Sequence, residues 1–258
     1  MTNELNNTNS STWAKRGNKR MIALLASAAI ISGGLVEGMN LVGNGLSAKA
    51  GNSITVTGQA RTTATADNAV WNLNIQESSP QVAAAVSKVD SSVKALSKYL
   101  TDGGIPTTGI EVGGVSTNAV PQYINGNPTG KILAYQAYQN VTVRSKDVNL
   151  IKKLSNGIGT LLQTGVNINN GGPQFYVSNL AALRPQLLAD AMVDAKLRAQ
   201  SITKAVGSKL GPVLAVTSGP VQVTAPDSVD TSAGGMYDTT TIPKTVTVTV
   251  SVSFKVSK

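Results

Sequence analysis

The chain has 258 residues, an apolar content of 41% and a formal net charge of +9, and it contains neither cysteine nor histidine. The missing cysteines exclude disulfides and thiolate sites, and the missing histidines exclude Ser-His-Asp triads and His-ligated metals. The apolar content suffices for one compact domain and a leader.

The positive charge is spread thinly along the sequence. Five of the 22 basic residues and two of the 13 acidic residues fall within residues 1–50, which leaves 17 cations and 11 acids, a net +6, for residues 51–258. Nucleic-acid binders cluster Lys and Arg on one face or helix, whereas the longest basic run here is Lys152-Lys153. The charge therefore indicates solvation and predicts no nucleic-acid partner.

Residues 1–50 carry the pattern of an export leader. Four cations between positions 15 and 20 precede the apolar run 21–36, which predicts that the N-terminus stays inside and the rest of the chain is translocated. Ala48-Lys49-Ala50 has the small-x-small form of a cleavage site, so the mature chain is predicted to begin at Gly51. A retained inner-membrane anchor over residues 21–46 is the open alternative. Both interpretations predict a periplasmic or secreted protein.

The exported part opens with two predicted strands and a helix. Alternation of apolar and polar residues over 54–57 and 70–75 predicts strands with one buried face. Ser79 as N-cap and Pro80 as first helical residue predict a helix start, and the following apolar residues recur at helical spacing: Val82, Val86, Val89, Val93, Leu96 and Leu100. Asp102-Gly103-Gly104 is predicted to end this helix.

A long hairpin and a second helix follow. Strands are predicted over 109–119 and 132–144, separated by the turn-rich segment PQYINGNPTGK. In the second strand, Tyr135 and Tyr138 are three residues apart and are predicted to face opposite sides. Apolar spacing over 148–162 predicts a helix that stops by Gly165, and residues 166–177 return to extended chain.

The third predicted helix spans about 179–206 and is rich in alanine. Ala191, Ala195, Ala199 and Ile202 form a narrow face that is predicted to lie close against a sheet. Because proline cannot donate a helical hydrogen bond, the start is predicted at or just before Pro185.

The last part of the chain alternates extended and irregular segments. A short strand is predicted over 213–217, and the polar segment 219–241 lacks periodicity, which predicts a functional or mobile loop. The closing KTVTVTVSVSFKVSK alternates throughout and predicts a long half-buried strand.

The segments ITVTGQARTTATAD (54–67) and ADAMVDAKLRAQSITKAVGSKLGPVLAVTSG (189–219), with the closing alternating strand, resemble the SIMPL domain family of exported bacterial proteins. The resemblance covers about residues 52–257. It implies an α+β fold with a mostly antiparallel sheet, about three helices and a long C-terminal strand, as one domain over 51–258. The chain departs from the family at Ile242-Pro243-Lys244, where many members have an acidic or glycine-containing turn, and in its longer leader.

The resemblance also bears on function. It implies an envelope or secreted module, some members of which form ring-like or channel-like oligomers, and it implies no reaction and no catalytic, cofactor-binding or metal-binding residues. We therefore expect a non-enzymatic homo-oligomeric scaffold associated with the cell envelope. A monomeric exported stress-protection or ligand-binding module, with a pocket under the long loop, is the alternative.

Four weaker patterns could indicate a catalytic or ligand-binding site, and each also fits a solvated surface. Ser91-x-x-Lys94 and Ser201-x-x-Lys204 match the Ser-x-x-Lys pattern of acyl transferases, but no companion motif exists. Asp190 and Asp194 are spaced for paired carboxylates of a cell-wall hydrolase or cation site, although a surface ion-pair cluster with Lys196 and Arg198 is favoured.

The remaining two patterns lie in predicted turns and loops. The segment Gly126 to Lys131 lacks the spacing of a phosphate-binding loop and predicts a hairpin turn. The loop Asp227 to Asp238 holds three acids without EF-hand spacing, so a calcium site is weighed against a surface loop or an oligomer contact.

The leader generates the first testable prediction. Replacing Ala48 or Ala50 by Lys should block cleavage, because the site requires small residues at those positions, whereas Lys49→Gln at the intervening position should leave processing intact. Cell fractionation and N-terminal sequencing check this. A mature chain that does not begin at Gly51, or protein that stays in the cytoplasm, would contradict it.

Overall fold

The computed structural model describes residues 52–258, so the predicted leader, cleavage site and anchor lie outside the described residues. The strands are β1 Ser53–Thr65, β2 Asn68–Ser79, β3 Ile110–Ile124, β4 Asn127–Ser145, β5 Ile168–Tyr176, β6 Lys209–Ser218, β7 Gln222–Thr224, β8 Met236–Tyr237 and β9 Pro243–Ser257. The helices are α1 Val82–Asp102, α2 Val148–Gly157, α3 Gly159–Leu162 and α4 Leu180–Ala205, with a 3-10 turn at Thr107–Gly109. The predicted α+β class is confirmed.

Two sheets organise these elements. In the first, which we call sheet one, β9 is central: it pairs antiparallel with β1 along one edge and with β6 and β7 along the other, and β8 runs parallel to β7. In sheet two the order is β3-β4-β2-β5, with every pair antiparallel. No helix of residues 52–258 is long and apolar enough to cross a membrane.

The chain builds sheet two as an insertion into sheet one. It leaves sheet one after β1, completes β2 to β5 with α1, α2 and α3, and returns through α4 to β6, β7, β8 and β9. We call residues 68–176 the inserted unit. Strand β1 pairs with β9 over its whole length, from Ser53 to Thr65, although the inserted unit separates the two strands in sequence.

The core of the inserted unit lies between sheet two and α1. Trp71, Leu73 and Ile75 alternate along β2 and are fully or almost fully buried against residues of α1 such as Val89 and Leu96. The buried indole Nε1 of Trp71 donates to Asn170 Oδ1 at 2.7 Å, so its polar atom is satisfied. Aliphatic residues supply most of this core, as the low aromatic content of 4% requires.

The core of sheet one depends on an unusually close approach of α4. Ala191, Ala195 and Ala199 have no exposed surface and pack against Val56 and the alternating valines of β9. At Gly58 in β1, a Cβ atom would lie 2.1 Å from the carbonyl oxygen of Ala191 and 2.6 Å from the amide nitrogen of Ala195. Glycine on the strand and alanine on the helix therefore allow backbone to touch backbone.

Hydrogen bonds join the two units where the chain passes between them. Ala66 N donates to Ile242 O at 2.9 Å, Asp67 N to Tyr176 O at 2.9 Å and Phe175 N to Thr239 O at 2.7 Å. The Asp67 carboxylate accepts from the backbone N–H and the hydroxyl of Ser178, and these bonds hold the pKa of Asp67 below its usual range. Segments 66–67, 175–178 and 239–242 thus form one junction.

Several predicted boundaries are corrected. Helix α1 begins at Val82 with Gln81 as N-cap, so the predicted start at Ser79-Pro80 is wrong by two residues. The segment PQYINGNPTGK continues β3 and β4, and only Asn125 and Gly126 turn, with φ of 51° and 82°. A two-residue Asn-Gly turn of this kind matches the twist of the strands it joins, so the hairpin is longer than predicted.

The later elements also differ in detail. Helix α4 spans Leu180–Ala205, which confirms the predicted extent of about 179–206, and it contains Pro185, so the later start at or just before that proline is wrong. Ile202 is 46% exposed, and Thr203 takes the predicted buried position because its hydroxyl donates to Ala199 O at 2.9 Å. Strand β6 extends over Lys209–Ser218, and the polar segment 219–241 contains β7 and β8.

The Gly58 contact predicts a large effect of a single methyl group. Gly58→Ala should lower the free energy of unfolding by about 1–3 kcal/mol or more, because the helix backbone must move to admit the new Cβ. The matched control is Gly114→Ala in β3, where a Cβ meets nothing within 4 Å. Urea denaturation checks both, and equal stability of the two variants would show that α4 does not lie on Gly58.

Candidate functional site: a cavity on the polar face of sheet one

Sheet one has one buried face and one polar face. The buried face carries Val246, Val248, Val250 and Val252 of β9 against α4. Because side chains alternate along a strand, Thr245, Thr247 and Thr249 point to the opposite side and are only partly buried. We call this second side the polar face.

Cross-strand register places three polar side chains in one row. Arg61 of β1 pairs with Thr247 of β9, and Thr247 pairs on its other side with Gln222 of β7. Neighbouring strands lie about 4.8 Å apart, so the Cα atoms of Arg61 and Gln222 are separated by about 10 Å across Thr247. The row therefore joins residues that are far apart in sequence.

The segment 225–235, which we call the cover loop, lies over this row, and between the two is a half-open cavity of about 370 Å³. The sheet contributes Gln59, Arg61, Gln222, Thr224, Thr245, Thr247 and Thr249, and the loop side contributes Pro220, Pro226 and residues 228–233. The lining combines hydroxyl and amide groups with apolar surface, and it holds one cation, Arg61, and one carboxylate, Asp230. This volume falls in the range of small-molecule sites.

Gln222 is the one cavity-lining side chain with a buried polar atom that has no hydrogen-bond partner within the described residues. It is 8% exposed, and its Nε2 donates to the Ser232 carbonyl in the cover loop at 2.6 Å. Its Oε1 is buried and has no hydrogen-bond partner among residues 52–258. Leaving a buried acceptor unpaired costs about 1–3 kcal/mol of stability, so a hydrogen-bond donor placed beside this oxygen would stabilise the protein.

The two charged groups of the lining make few contacts with the rest of the protein. The Arg61 guanidinium is exposed on the polar face, and no hydrogen bond or ion pair holds it within the described part of the chain. The Asp230 carboxylate accepts one bond from the Ser228 hydroxyl, at 3.1 Å. Both groups therefore retain hydrogen-bonding capacity toward a molecule in the cavity.

A buried ion pair fixes the chain that follows the cover loop. The side chain of Lys244 has no exposed surface, and its Nζ donates to the Asp238 carboxylate at 2.8 Å and to the Asp238 carbonyl at 2.6 Å. Burial alone would raise the pKa of Asp238, but hydrogen bonds from Lys244, Thr240 and Thr241 outweigh it and hold that pKa far below its usual range. Asp238 N also donates to Val223 O in β7.

The Ser-x-x-Lys pairs predicted as weak candidates are not assembled into a site. The Ser91 hydroxyl donates to Ser87 O of its own helix, and Lys94 forms an exposed ion pair with Asp90 at 2.6 Å. The Ser201 hydroxyl likewise donates to Leu197 O. These are the contacts of solvated helix faces.

The two aspartates of α4 have different hydrogen-bond partners. Asp190 accepts from the Gln186 amide at 2.9 Å, whereas Asp194 accepts from the backbone N–H of Gln59 and from Arg198, each at 2.8 Å. These two bonds, the backbone one first, hold the pKa of Asp194 below its usual range. Asp194 thus fastens α4 to β1 beside Gly58.

The remaining motifs are also accounted for. Within the described residues no group of three acidic side chains converges to hold a metal ion, and Asp238 directs its carboxylate to Lys244, Thr240 and Thr241. Gly126 has positive φ in the two-residue turn, whereas Gly130 and Lys131 lie within β4, so this segment belongs to a hairpin whose turn is shorter than predicted.

Sequence reasoning missed Arg61, Gln222 and Lys244. The alternation of the last strand did contain a signal, because a Thr and Ser side opposite a Val side predicts a polar face. What covers that face depends on the pairing of β7 with β9, which local sequence does not reveal.

Comparison with protein-family models matches residues 54–256, well over half of the chain, to the model described as SIMPL, protein of unknown function (DUF541). No curated protein matches the chain. The order of elements that carried the sequence resemblance agrees with this match.

The ion pair generates a stability prediction. Asp238→Asn should cost about 3–5 kcal/mol, because it leaves the Lys244 ammonium buried without its counter-charge, while the double variant Asp238→Asn/Lys244→Met should recover much of that loss. Chemical denaturation of the two single variants and the double variant measures the coupling. Equal losses in Asp238→Asn and the double variant would contradict a buried pair.

The same pair predicts a pH dependence. Since the pKa of Asp238 is depressed in the folded protein, its stabilisation is present above the ordinary value near 3.9 and is lost as the pH falls below about 4. The Lys244→Met variant should therefore lose less stability than the wild type over that acidic range. Unfolding free energies measured between pH 6 and pH 3 check the difference.

Proposed function

The chain belongs to the SIMPL family, and on that premise we propose that it is a non-enzymatic, self-assembling scaffold of the cell envelope. The leader pattern of residues 1–50 supports export. The absence of histidine and cysteine, and the separate contacts of the serine, lysine and aspartate candidates, support a role without catalysis.

The observation that carries self-assembly is a two-stranded arm. Strand β2 pairs with β4 only over residues 135–145, so residues 120–134 of the β3–β4 hairpin extend beyond the sheet. We call residues 120–134 the arm. An isolated two-stranded ribbon is only marginally stable in water, so the arm gains order when another surface covers it.

The arm carries large apolar side chains that are exposed to solvent. Tyr123 is 60% exposed, Ile124 56%, Ile132 50% and Leu133 57%. Lys131 is the one charged residue within 120–134. Covering the exposed half of each apolar side chain would contribute about 1 kcal/mol, a useful fraction of an interface energy when four act together.

A second apolar surface suits the arm of another copy. Val193 and Leu197 lie one turn apart on the side of α4 that faces away from sheet one, and each is 58% exposed. An arm placed on this stripe of a second copy joins two different surfaces, which is a head-to-tail contact that repeats until a ring closes. Pro121 and Pro128 lack backbone N–H groups in the arm, which favours side-chain packing over continuous strand pairing.

A second candidate function is ligand binding by the cavity under the cover loop. The buried, unpartnered Oε1 of Gln222 in the cavity lining favours it. Ligand binding and self-assembly use different parts of the chain, so one protein can have both functions.

The arm predicts an assembly that specific substitutions disrupt. The purified protein should elute as a discrete oligomer in light scattering behind a sizing column, and Ile132→Asp/Leu133→Asp should shift it to monomer, because two charges then replace the apolar contact. The matched control is Val229→Asp, at a loop position that is 93% exposed and outside the arm.

A wild-type monomer at micromolar concentration would refute self-assembly. An oligomer that survives the double substitution would place the interface elsewhere.

A further inference from the structure

We propose that the cavity on the polar face binds a small zwitterion, a molecule that carries both a carboxylate and an ammonium group. The inference rests on the second candidate function, ligand binding, and is independent of self-assembly. It uses three groups of the lining: the exposed Arg61 guanidinium, the exposed Asp230 carboxylate, which accepts one bond from Ser228, and the buried Gln222 Oε1, which has no partner among the described residues.

Arg61 selects the carboxylate. Its side chain lines the cavity and has no ion pair or hydrogen bond within the described residues. A guanidinium offers paired N–H donors in a plane, which match the two oxygens of a carboxylate. The neighbouring hydroxyl of Thr247, directly across from Arg61 in the register, can donate a further bond.

Gln222 and Asp230 select the ammonium. The Nε2 of Gln222 donates to the Ser232 carbonyl, and this bond fixes the orientation of the side-chain amide. The buried Oε1 then remains without a hydrogen-bond donor. Asp230 adds a carboxylate from the cover loop. An ammonium has three donors and no acceptor, so it satisfies both groups at once.

The balance of charge argues against other small polar ligands. The lining carries one cation and one anion, so a dianion meets repulsion from Asp230 and a neutral sugar leaves both charges unpaired. A zwitterion pairs both.

Both a free amino acid and a short peptide carry a carboxylate and an ammonium, and they differ in the distance between these two charged ends. Titration calorimetry of the full chain with a panel of free α-amino acids and a panel of dipeptides distinguishes the two sources. Saturable binding in either panel supports the proposal. The N-acetyl and amide derivatives, each of which lacks one charge, should bind at least about tenfold more weakly.

Two substitutions separate recognition of the two charges. Arg61→Gln should weaken zwitterion binding by at least about tenfold, while Arg144→Gln, the same change at an exposed strand arginine in sheet two, should leave it unchanged. Asp230→Asn should weaken binding of the zwitterion but not of its N-acetyl derivative, a change of preference that a merely structural role would not produce.

Three results would contradict zwitterion binding by the cavity. No saturable binding in either panel overturns the proposal and leaves the oligomer measurement untouched. Equal binding of the zwitterion and a sugar acid, or equal losses from Arg61→Gln and Arg144→Gln, shows that the cavity does not recognise paired charges.

Discussion

The contact between α4 and β1 at Gly58 is the constraint from which the rest of the structure follows. Ala191 and Ala195 bring the helix backbone onto the strand, and Asp194 then reaches the backbone N–H of Gln59. Because α4 covers one side of sheet one so closely, the β9 residues beneath it are apolar, and the opposite side of the strand carries threonines. The cover loop can fold over the polar face because no helix occupies it within the described structure.

The two surfaces with proposed functions lie on different units of the fold. The arm belongs to the inserted unit and the cavity belongs to sheet one, and the junction around Asp67, Ser178 and Ile242 connects them. The buried Lys244–Asp238 pair lies in sheet one next to this junction and fixes the chain between the cover loop and β9. The two proposals therefore concern separate surfaces of one framework.

Local sequence patterns predicted the elements well where burial follows a simple period. The alternation in β9 and the alanine spacing in α4 both appear in the structure as buried faces. Prediction failed where two residues decide a boundary: Asn125 and Gly126 take positive φ and make the whole turn, so the polar segment around them extends the strands. It also failed at Ile202, because Thr203 can be buried once its hydroxyl is bonded to its own helix.

The cavity was beyond sequence reasoning for a different reason. Arg61, Thr247 and Gln222 form one row only because β9 lies between β1 and β7, and the β1–β9 pairing joins Arg61 to a residue 186 positions further along the chain (247 − 61). The predicted pocket under the long loop identified the region, while the residues that line it depend on the register.

Amide hydrogen exchange of the purified protein, measured above and below its assembly concentration, tests the central claim that the arm and the cavity are separate surfaces. The account predicts that the amides of residues 120–134 exchange slowly only in the assembled protein, while those of the cover loop exchange at the same rate in both states. The account would be contradicted if the exchange rates of the arm amides did not change with protein concentration, or if those of the cover-loop amides did.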